Sequence, residues 1–454
     1  MKYYNIKQAL IFCLSLLLLL IDFKGISQEK YSDKEIDVKA NQYFKILSDL
    51  DRFSGSVLIA RNGKIIFNHS YGYANREHDV LNENFTKYRI ASITKQFTSM
   101  AIMMLQEQKK IDVQDHLCKY LSDCPEIWKE ITINNLLTMT SGIPEYTDFP
   151  DYHKTRMIPL TLDDFIGSFK NKKLEFIPGE KFQYSNSNYI LLGQIIENIT
   201  GKPYRDFLQE RIFTPLEMNN TGLYDEKTIL KHRAEGYIFQ NDKFEHISNA
   251  TFLNGYSAGG LYSTTEDLLK WDLSLYNTNL ISTESLEKIF TPLKGDYASG
   301  WFVGKKFNRK WISHTGAIPG YRNQISRFPD EKLTIIILNN LDNTDIESLT
   351  QDAAAIVYGE SYKLPKSHLQ IKVDPKIYND YIGQYDFPNA PFTVLIESNK
   401  LIGELHGRKA EMIPYSASEF YIKQYDIEIK FLRNTQGKVD GLLWEGKTKI
   451  NKIK

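Results

Sequence analysis

The chain has 454 residues, of which 42% are hydrophobic and 25% are charged, proportions that are ordinary for a soluble globular protein. Lys plus Arg and Asp plus Glu each number 56, so the formal net charge is zero and no basic excess points to a nucleic-acid partner. This composition excludes wholesale disorder and leaves enough apolar material for a large core.

The first 27 residues have the pattern of a secretory signal peptide. Lys2 and Lys7 precede an apolar run over 9–21, which is shorter than the roughly 20 residues that a membrane span needs. Gly25 and Ser27 then place small residues three and one positions before the expected cleavage site. We predict export to the periplasm or beyond the cell, with no membrane span after cleavage; an uncleaved N-terminal anchor is the alternative.

Two cysteines, Cys118 and Cys124, remain after the signal. They fit two interpretations, inert buried thiols or a local disulfide. Export to an oxidising compartment favours the disulfide, which we predict. No His or Cys pair with a zinc spacing accompanies them, so no metal site is predicted.

The N-terminal part of the mature chain predicts a helix followed by a hairpin. The segment 33–50 is amphipathic, and two β-rich runs at 55–60 and 65–67 flank the turn residues Asn62 and Gly63. Asn-Gly between such runs is a strong hairpin signal, since both positions tolerate positive φ. The segment 93–280 that follows is mostly helical in pattern.

Strands return toward the end of this region, and a helix closes it at 345–358. We predict one sheet of an α+β fold, assembled from both ends of the region and covered by the helical middle as a long insertion. The strands predicted near the end lie at 300–303, 311–313, 321–328 and 333–338.

A linker at 363–366, which contains Pro365, separates a different pattern of short strands and turns. This pattern predicts a small antiparallel sheet or barrel. The expected organisation is therefore a signal peptide (1–27), a main domain (28–362) and a C-terminal β domain (363–454). The short strands are expected at 392–396, 400–404, 419–423 and 428–432.

Ser92 and Lys95 form the first candidate for chemistry. Residues three apart on a helix share a face, so the Lys amine can assist deprotonation of the Ser hydroxyl if its pKa is lowered. Ser-x-x-Lys alone is weak evidence, because it also begins at Ser27 and at Ser285. The Ser285 copy fits a solvated helix face, whereas Ser92 opens a strongly apolar helix.

Two further short motifs follow. Tyr184-Ser-Asn186 precedes a predicted helix; a Tyr hydroxyl near a Lys can relay a proton, and an Asn amide can bind a substrate amide. His314-Thr-Gly316 follows the predicted strand at 311–313. Taken alone, Tyr184 would be a half-buried core residue and His314 a structural histidine.

Together and in this order, the three motifs resemble those of the penicillin-recognising serine hydrolases. That superfamily contains class C β-lactamases, D-Ala-D-Ala carboxypeptidases, D-aminopeptidases and related esterases. The resemblance extends to segments 136–142, 178–186 and 257–268 and covers roughly 53–358. It implies a β-lactamase/transpeptidase-like antiparallel sheet flanked by terminal helices, an all-helical subdomain and no cofactor.

The resemblance also implies roles for individual residues. Ser92 would be the acylated nucleophile, and Lys95 and Tyr184 would share general-base and general-acid duties. The backbone N–H groups of Ser92 and Ala317 would form the oxyanion hole. The residues expected to line the cleft and bind substrate are Asn186, His314, Thr315, Gly316 and Ala317.

Two departures bear on the substrate. Class C β-lactamases have Lys where this chain has His314, and compact β-lactamases lack the C-terminal β domain. We therefore expect an exported hydrolase of a small or peptide substrate, foremost a peptidoglycan-derived D-peptide, as in a D-Ala-D-Ala carboxypeptidase or D-amino-acid-specific peptidase. The alternatives are an esterase, a β-lactamase, and a penicillin-binding sensor without turnover. The oligomeric state is not indicated.

Overall fold

The structure is a computed structural model that describes residues 30–158, 160–240, 243–247, 255–365, 371–388, 390–422, 425 and 427–453. The predicted signal peptide lies outside the described residues. Within those residues, no helix combines the length and apolar composition needed to cross a bilayer.

The helices occupy both ends and the middle of the main part of the chain. They are α1 Asp33–Asp49, α2 Thr94–Glu107, α3 Ile133–Leu137, α4 Tyr152–Thr155, α5 Leu162–Lys170, α6 Asn186–Thr200, α7 Tyr204–Leu208, α8 Tyr256–Gly259, α9 Thr265–Ser274, α10 Thr283–Ile289, α11 Ile346–Tyr358 and α12 Tyr378–Tyr381. Short 3₁₀ turns lie at Ala91–Ile93, Leu117–Lys119, Glu126–Trp128, Tyr146–Asp148 and Pro375–Ile377, and a π-helical turn at Gln209–Phe213.

The strands fall into a first group, in and around the main sheet, and a second group near the C-terminus. The first group is β1 Gly55–Arg61, β2 Lys64–Tyr71, β3 Tyr73–Asn75, β4 Val80–Leu81, β5 Tyr88–Arg89, β6 Gly222–Leu223, β7 Tyr237–Gln240, β8 Lys243–His246, β9 Leu261–Ser263, β10 Phe302–Lys306, β11 Arg309–Ile318, β12 Tyr321–Phe328 and β13 Leu333–Asn339. The second is β14 Gly383–Tyr385, β15 Phe392–Glu397, β16 Lys400–Leu405, β17 Arg408–Glu411, β18 Ile413–Pro414, β19 Glu419–Ile422, β20 Ile427–Arg433, β21 Val439–Trp444 and β22 Thr448–Asn451.

The main sheet joins the two ends of the region, which confirms the predicted fold class. Its order is β10-β11-β12-β13-β1-β2, with antiparallel pairing between neighbours. The β1–β2 hairpin turns at Asn62 and Gly63, whose φ values of 53° and 76° are both positive. Strand β1 lies between β2 and β13, and this pairing closes the sheet across the whole helical middle.

Helices α1 and α11 cover one face of this sheet. Ser32 and Glu35 form a capping box that starts α1, and Asp345 caps the first turn of α11. Their apolar stripes pack on the sheet residues of that face. The core of this face contains, from the helices, Ile36, Phe44, Ala353 and Ile356 and, from the sheet, Val57, Ile59, Ile335 and Ile337.

The opposite face carries the helical part, with α2 at its centre. Every residue of α2 from Thr94 to Leu105 is buried, so this helix has no solvated side over those positions. The middle of the chain is less uniformly helical than predicted. It also contains the hairpin β7–β8 and strands of the small sheet β5-β9-β6. The sequence did not predict these strands, because they are too short to show a periodicity.

Two predicted strand boundaries are corrected by the structure. The first late strand begins at Phe302, not at 300, because Gly300 has a φ of 80°. Strand β11 runs on through the His314 motif to Ile318, whereas the sequence predicted that it ends at 313.

The C-terminal β domain has its own core. Its strands form a four-stranded sheet, β14-β15-β16-β17, and a five-stranded sheet, β18-β19-β20-β21-β22. Aromatic residues dominate that core: Tyr381 stacks on Phe431 at 4.1 Å between ring centroids, and Phe420 meets both rings edge-on. The exact domain boundaries remain a prediction.

Candidate active site

Ser92 lies in the 3₁₀ turn between β5 and α2, on the helical side of the main sheet. The residue before it, Ala91, has a φ of 50°, which is the left-handed region that a non-glycine residue rarely occupies. Hydrogen bonds hold the turn, since Ile90 N–H donates to Leu261 O at 2.9 Å and Leu261 N–H donates to Thr94 Oγ1 at 3.1 Å. The strained turn is thus fixed from both sides and leaves the Ser92 side chain only partly buried.

Lys95 follows in the first turn of α2 and is fully buried. Its Nζ donates to Ser92 Oγ at 3.0 Å, to Asn186 Oδ1 at 2.7 Å and to the carbonyl oxygen of Ala258 at 2.7 Å. Burial lowers the pKa of Lys95 to about 7, against an opposing effect of the Glu145 carboxylate. A lysine with this pKa is a substantial fraction neutral amine near pH 7 and can accept a proton.

Tyr184 stands beside the same two groups, just before the N-cap residue of α6. Lys95 Nζ lies 5.0 Å from the centre of its ring. Burial raises the pKa of Tyr184 well above its ordinary value, and its interaction with the nearby Ser92 hydroxyl only partly offsets this. The group is therefore a neutral phenol at physiological pH, which suits a proton donor better than a base.

Asn186 is the first residue of α6. Both the oxygen and the nitrogen of its side-chain amide are hydrogen-bonded within the protein. Its Oδ1 accepts from Lys95, and its Nδ2 donates to Glu145 Oε1 at 3.1 Å. The structure places Asn186 between Lys95 and Glu145, and its assignment to substrate stays a prediction.

His314 lies in the interior of β11 and is only 1% exposed. Its Nδ1 donates to the carbonyl oxygen of Thr315 at 2.6 Å, so the neutral ring accepts the Tyr297 hydroxyl on Nε2 at 3.3 Å. Burial, together with the nearby Lys95 charge, lowers the pKa of His314 to about 3. The His314 side chain therefore lines the site as an uncharged imidazole.

Gly316 explains how β11 comes so close to the Ser92 turn. A Cβ at this position would lie 2.1 Å from the carbonyl oxygen of Ile90, so no other residue fits without a shift of backbone. The next residue, Ala317, is exposed, and Thr315 is half-buried. Strand β10 pairs with β11 only as far as Ser313, so the edge of β11 from His314 to Ile318 is not covered by β10.

Sequence reasoning missed two residues of this cluster, Glu145 and Tyr297. Glu145 follows the 136–142 segment by three positions and is 7% exposed, and a buried carboxylate can be recognised only when its surroundings are known. Tyr297 is fully buried; its ring meets that of Tyr184 edge-on at 5.9 Å and that of His314 at 5.8 Å. Among 28 tyrosines, nothing in the sequence distinguishes it.

Cys118 and Cys124 are joined by a disulfide that spans the 3₁₀ turn Leu117–Lys119. Both side chains pack against the core on the helical side of the sheet. The bridge closes a small loop of the helical part.

Comparison with known proteins gives consistent matches. The family model described as Beta-lactamase matches residues 41–358. Penicillin-binding protein 4* of Bacillus subtilis is 30% identical over 434 residues, covering 88% of this chain and 95% of that protein. A penicillin-binding protein from Bacillus halodurans superposes with a TM-score of 0.61 at 28% identity, covering 69% of this chain and 98% of that one. The octameric penicillin-binding protein homologue from Pyrococcus abyssi superposes with a TM-score of 0.67 at 23% identity, over 91% and 99% of the two chains, a likeness of fold.

Proposed function

Because the chain belongs to the β-lactamase family of serine hydrolases, we propose that it is an exported hydrolase that cleaves an amide or ester through an acyl-enzyme on Ser92. The observation that carries this proposal is the position of one serine hydroxyl within hydrogen-bond distance of a fully buried lysine and beside a partly buried tyrosine. Lys95 Nζ lies 3.0 Å from Ser92 Oγ and 5.0 Å from the ring centre of Tyr184, whose pKa responds to the Ser92 hydroxyl. Nucleophile and base within hydrogen-bond reach is the arrangement that covalent catalysis requires.

The proton transfers then follow from the protonation states of Lys95, a neutral amine, and Tyr184, a neutral phenol. Neutral Lys95 takes the Ser92 proton as Oγ attacks the substrate carbonyl, and the N–H groups of Ser92 and Ala317 stabilise the resulting oxyanion. The bond to the leaving group breaks as the Tyr184 phenol protonates that group, and the Lys95 ammonium returns a proton to the phenolate. Water attacks the acyl-enzyme by the same route in reverse order and restores Ser92.

The substrate that we propose first is a D-amino-acid-containing peptide, as for a D-Ala-D-Ala carboxypeptidase. Two matched proteins carry penicillin-binding names, which supports an acyl-accepting Ser92. An esterase is the second candidate, because neutral, buried His314 offers no cation to a substrate carboxylate. A β-lactamase in the strict sense is a less well supported candidate, since this chain has His314 at the position where class C enzymes have Lys.

Labelling with a fluorescent penicillin and with a fluorophosphonate tests the nucleophile. We expect stoichiometric labelling of the wild type and none of Ser92→Ala; full labelling of that variant would refute the assignment. Rates on a D-Ala-D-Ala peptide, a p-nitrophenyl ester and nitrocefin then rank the substrate classes. Stable labelling without turnover of any of them would favour a sensor.

Export is proposed from the first 27 residues. Mass spectrometry of the protein recovered from an expressing bacterial host would be expected to show Gln28 as the mature N-terminus. Recovery of the intact N-terminus in the membrane fraction would indicate an uncleaved anchor instead.

A further inference from the structure

Glu145 is a buried carboxylate that the mechanism above does not use. Its Oε1 accepts from Asn186 Nδ2 at 3.1 Å and from the backbone N–H of Thr147 at 3.0 Å, and its Oε2 accepts from the backbone N–H of Asn186. Among the described residues no Lys, Arg or His nitrogen forms an ion pair with it. Neutral N–H donors alone therefore hold this charge, at the N-terminus of α6, where the helix dipole favours an anion.

These contacts determine which way the Asn186 amide faces. A carboxylate only accepts hydrogen bonds, so the amide must present its NH₂ group to Glu145 and its oxygen to Lys95. The flipped amide would set its oxygen against the carboxylate, a repulsive contact in a buried site, and its NH₂ group would compete for the lone pair of neutral Lys95. With Glu145 in place, only one orientation is stable.

The orientation of Asn186 in turn decides what neutral Lys95 can do. A neutral amine has two N–H bonds and one lone pair. Asn186 Oδ1 and the Ala258 carbonyl oxygen, both at 2.7 Å, are pure acceptors and take the two N–H bonds. The lone pair is then left for the third neighbour, the Ser92 hydroxyl at 3.0 Å.

We propose that Glu145 is a positioning residue: by fixing the Asn186 amide, its carboxylate aims the lone pair of Lys95 at the Ser92 hydroxyl. The inference rests on the proposed function, in which Lys95 is the base. It gives a function to a side chain for which the proposed mechanism has no other use.

Glu145 also acts on Lys95 through its charge. The titratable groups that face Lys95 within the described structure are Glu145, Tyr184, Tyr189 and His314. Burial keeps both tyrosines and the histidine neutral near pH 7, because it raises the pKa of each phenol and lowers that of the imidazole. The negative charge of Glu145 favours protonated Lys95, so its removal should lower the pKa of Lys95.

The test is the second-order rate of acylation by a fluorophosphonate, measured from pH 5 to pH 9 on the full chain. Glu145→Gln should slow acylation about ten- to hundredfold at its optimum, the scale of a small misplacement of a catalytic group. The same variant should move the acid limb of the profile to lower pH. Glu145→Asp keeps the charge but reaches less far, so acylation should slow while the acid limb stays near its wild-type position.

Two further variants separate a positioning function from a structural one. In an Asn186→Ala background, Glu145→Gln should slow acylation less than about threefold further, since the group through which it acts is gone. Glu284→Gln is the matched control, because Glu284 pairs with the lysine of the other Ser-x-x-Lys sequence, and it should leave the profile unchanged. Thermal melting of every variant reports folding, and the Asp substitution carries the test if the Gln variant does not fold.

An acylation rate of Glu145→Gln within twofold of the wild type would overturn the inference. A double variant slowed by the product of the two single effects of Glu145→Gln and Asn186→Ala would also overturn it, because the two residues would then act independently. An unshifted acid limb in Glu145→Gln would also contradict it. These outcomes are distinct from failure of the proposed function, which would show as acylation of Ser92→Ala at the wild-type rate.

Discussion

Two Ser-x-x-Lys sequences lie at the start of helices in the described part of the chain, and their surroundings are opposite. Lys95 is fully buried, and its Nζ lies within hydrogen-bond distance of three oxygen atoms. Lys288 has a side chain that is 52% exposed and is paired with Glu284 at 2.9 Å. The sequence around Ser285 predicts a solvated helix face; Lys288 is indeed exposed, but Ser285 itself is buried at the first turn of α10.

The contrast shows that spacing alone does not make a serine reactive. An exposed ammonium beside a carboxylate is favoured in its charged form, which cannot accept a proton. Burial without an ion pair disfavours that form, and it brings the pKa of Lys95 to about 7. The proposed reactivity of Ser92 therefore depends on the fold, which encloses the Lys95 side chain against Asn186 of α6 and Ala258 of α8.

The strongest test of this comparison substitutes the two serines. Ser92→Ala should lower kcat for ester hydrolysis by at least about 10³-fold, since removal of a nucleophile leaves only the binding groups. Ser285→Ala should leave kcat unchanged. Equal, small effects of both variants would end the distinction between the two sequences.

The two lysines give the next largest difference. Lys95→Met keeps much of the buried volume but removes the base, and it should slow acylation by about 10²- to 10⁴-fold. Lys288→Met should leave the acylation rate within twofold of the wild type. If Lys95→Met retained the wild-type acylation rate, Tyr184 and not Lys95 would be the base.

Tyr184→Phe sharpens the assignment within the reactive cluster. It removes the proposed proton donor and leaves Lys95 in place, so turnover of an amide should fall by roughly 10²-fold. An activated ester, whose leaving group needs no proton, should lose less. A larger loss on the ester than on the amide would contradict a donor function.

The smallest expected effect is the pH dependence. Lys95 must be neutral to act, and its pKa is about 7, so acylation should rise with pH through neutrality and increase about tenfold between pH 6 and pH 8. Stopped-flow labelling at constant ionic strength measures this rise. A rate that still climbs tenfold per unit at pH 9 would show that Lys95 titrates like an exposed lysine.

Much of the sheet could be read from local patterns. The Asn62-Gly63 turn and the β-rich runs beside it predicted the first hairpin, and 321–328 coincides with β12. The strand predicted at 311–313 is longer in the structure, where β11 continues through Gly316 to Ile318. The close approach of β11 to the carbonyl of Ile90, which leaves no room for a side chain at Gly316, joins residues far apart in the chain and has no local signal in the sequence.

The candidate site divides in the same way. Ser92, Lys95 and Tyr184 were identified from short motifs in a given order, and the structure brings all three together. Glu145 and Tyr297 were not identified, because a buried carboxylate or phenol has no local signal in a sequence. Asn186 and His314 were assigned to substrate, which stays a prediction; the structure adds that their polar atoms are also hydrogen-bonded within the protein.

The sequence by itself determined the family, the order of the motifs and the elements that hold them, since these depend on neighbouring residues and on periodicity. Only the tertiary structure decided which of two identical spacings has a buried lysine, which way an amide faces and whether a histidine is charged. Each of these depends on contacts between residues far apart in the chain. Burial and hydrogen bonding then set the protonation states on which the proposed chemistry depends.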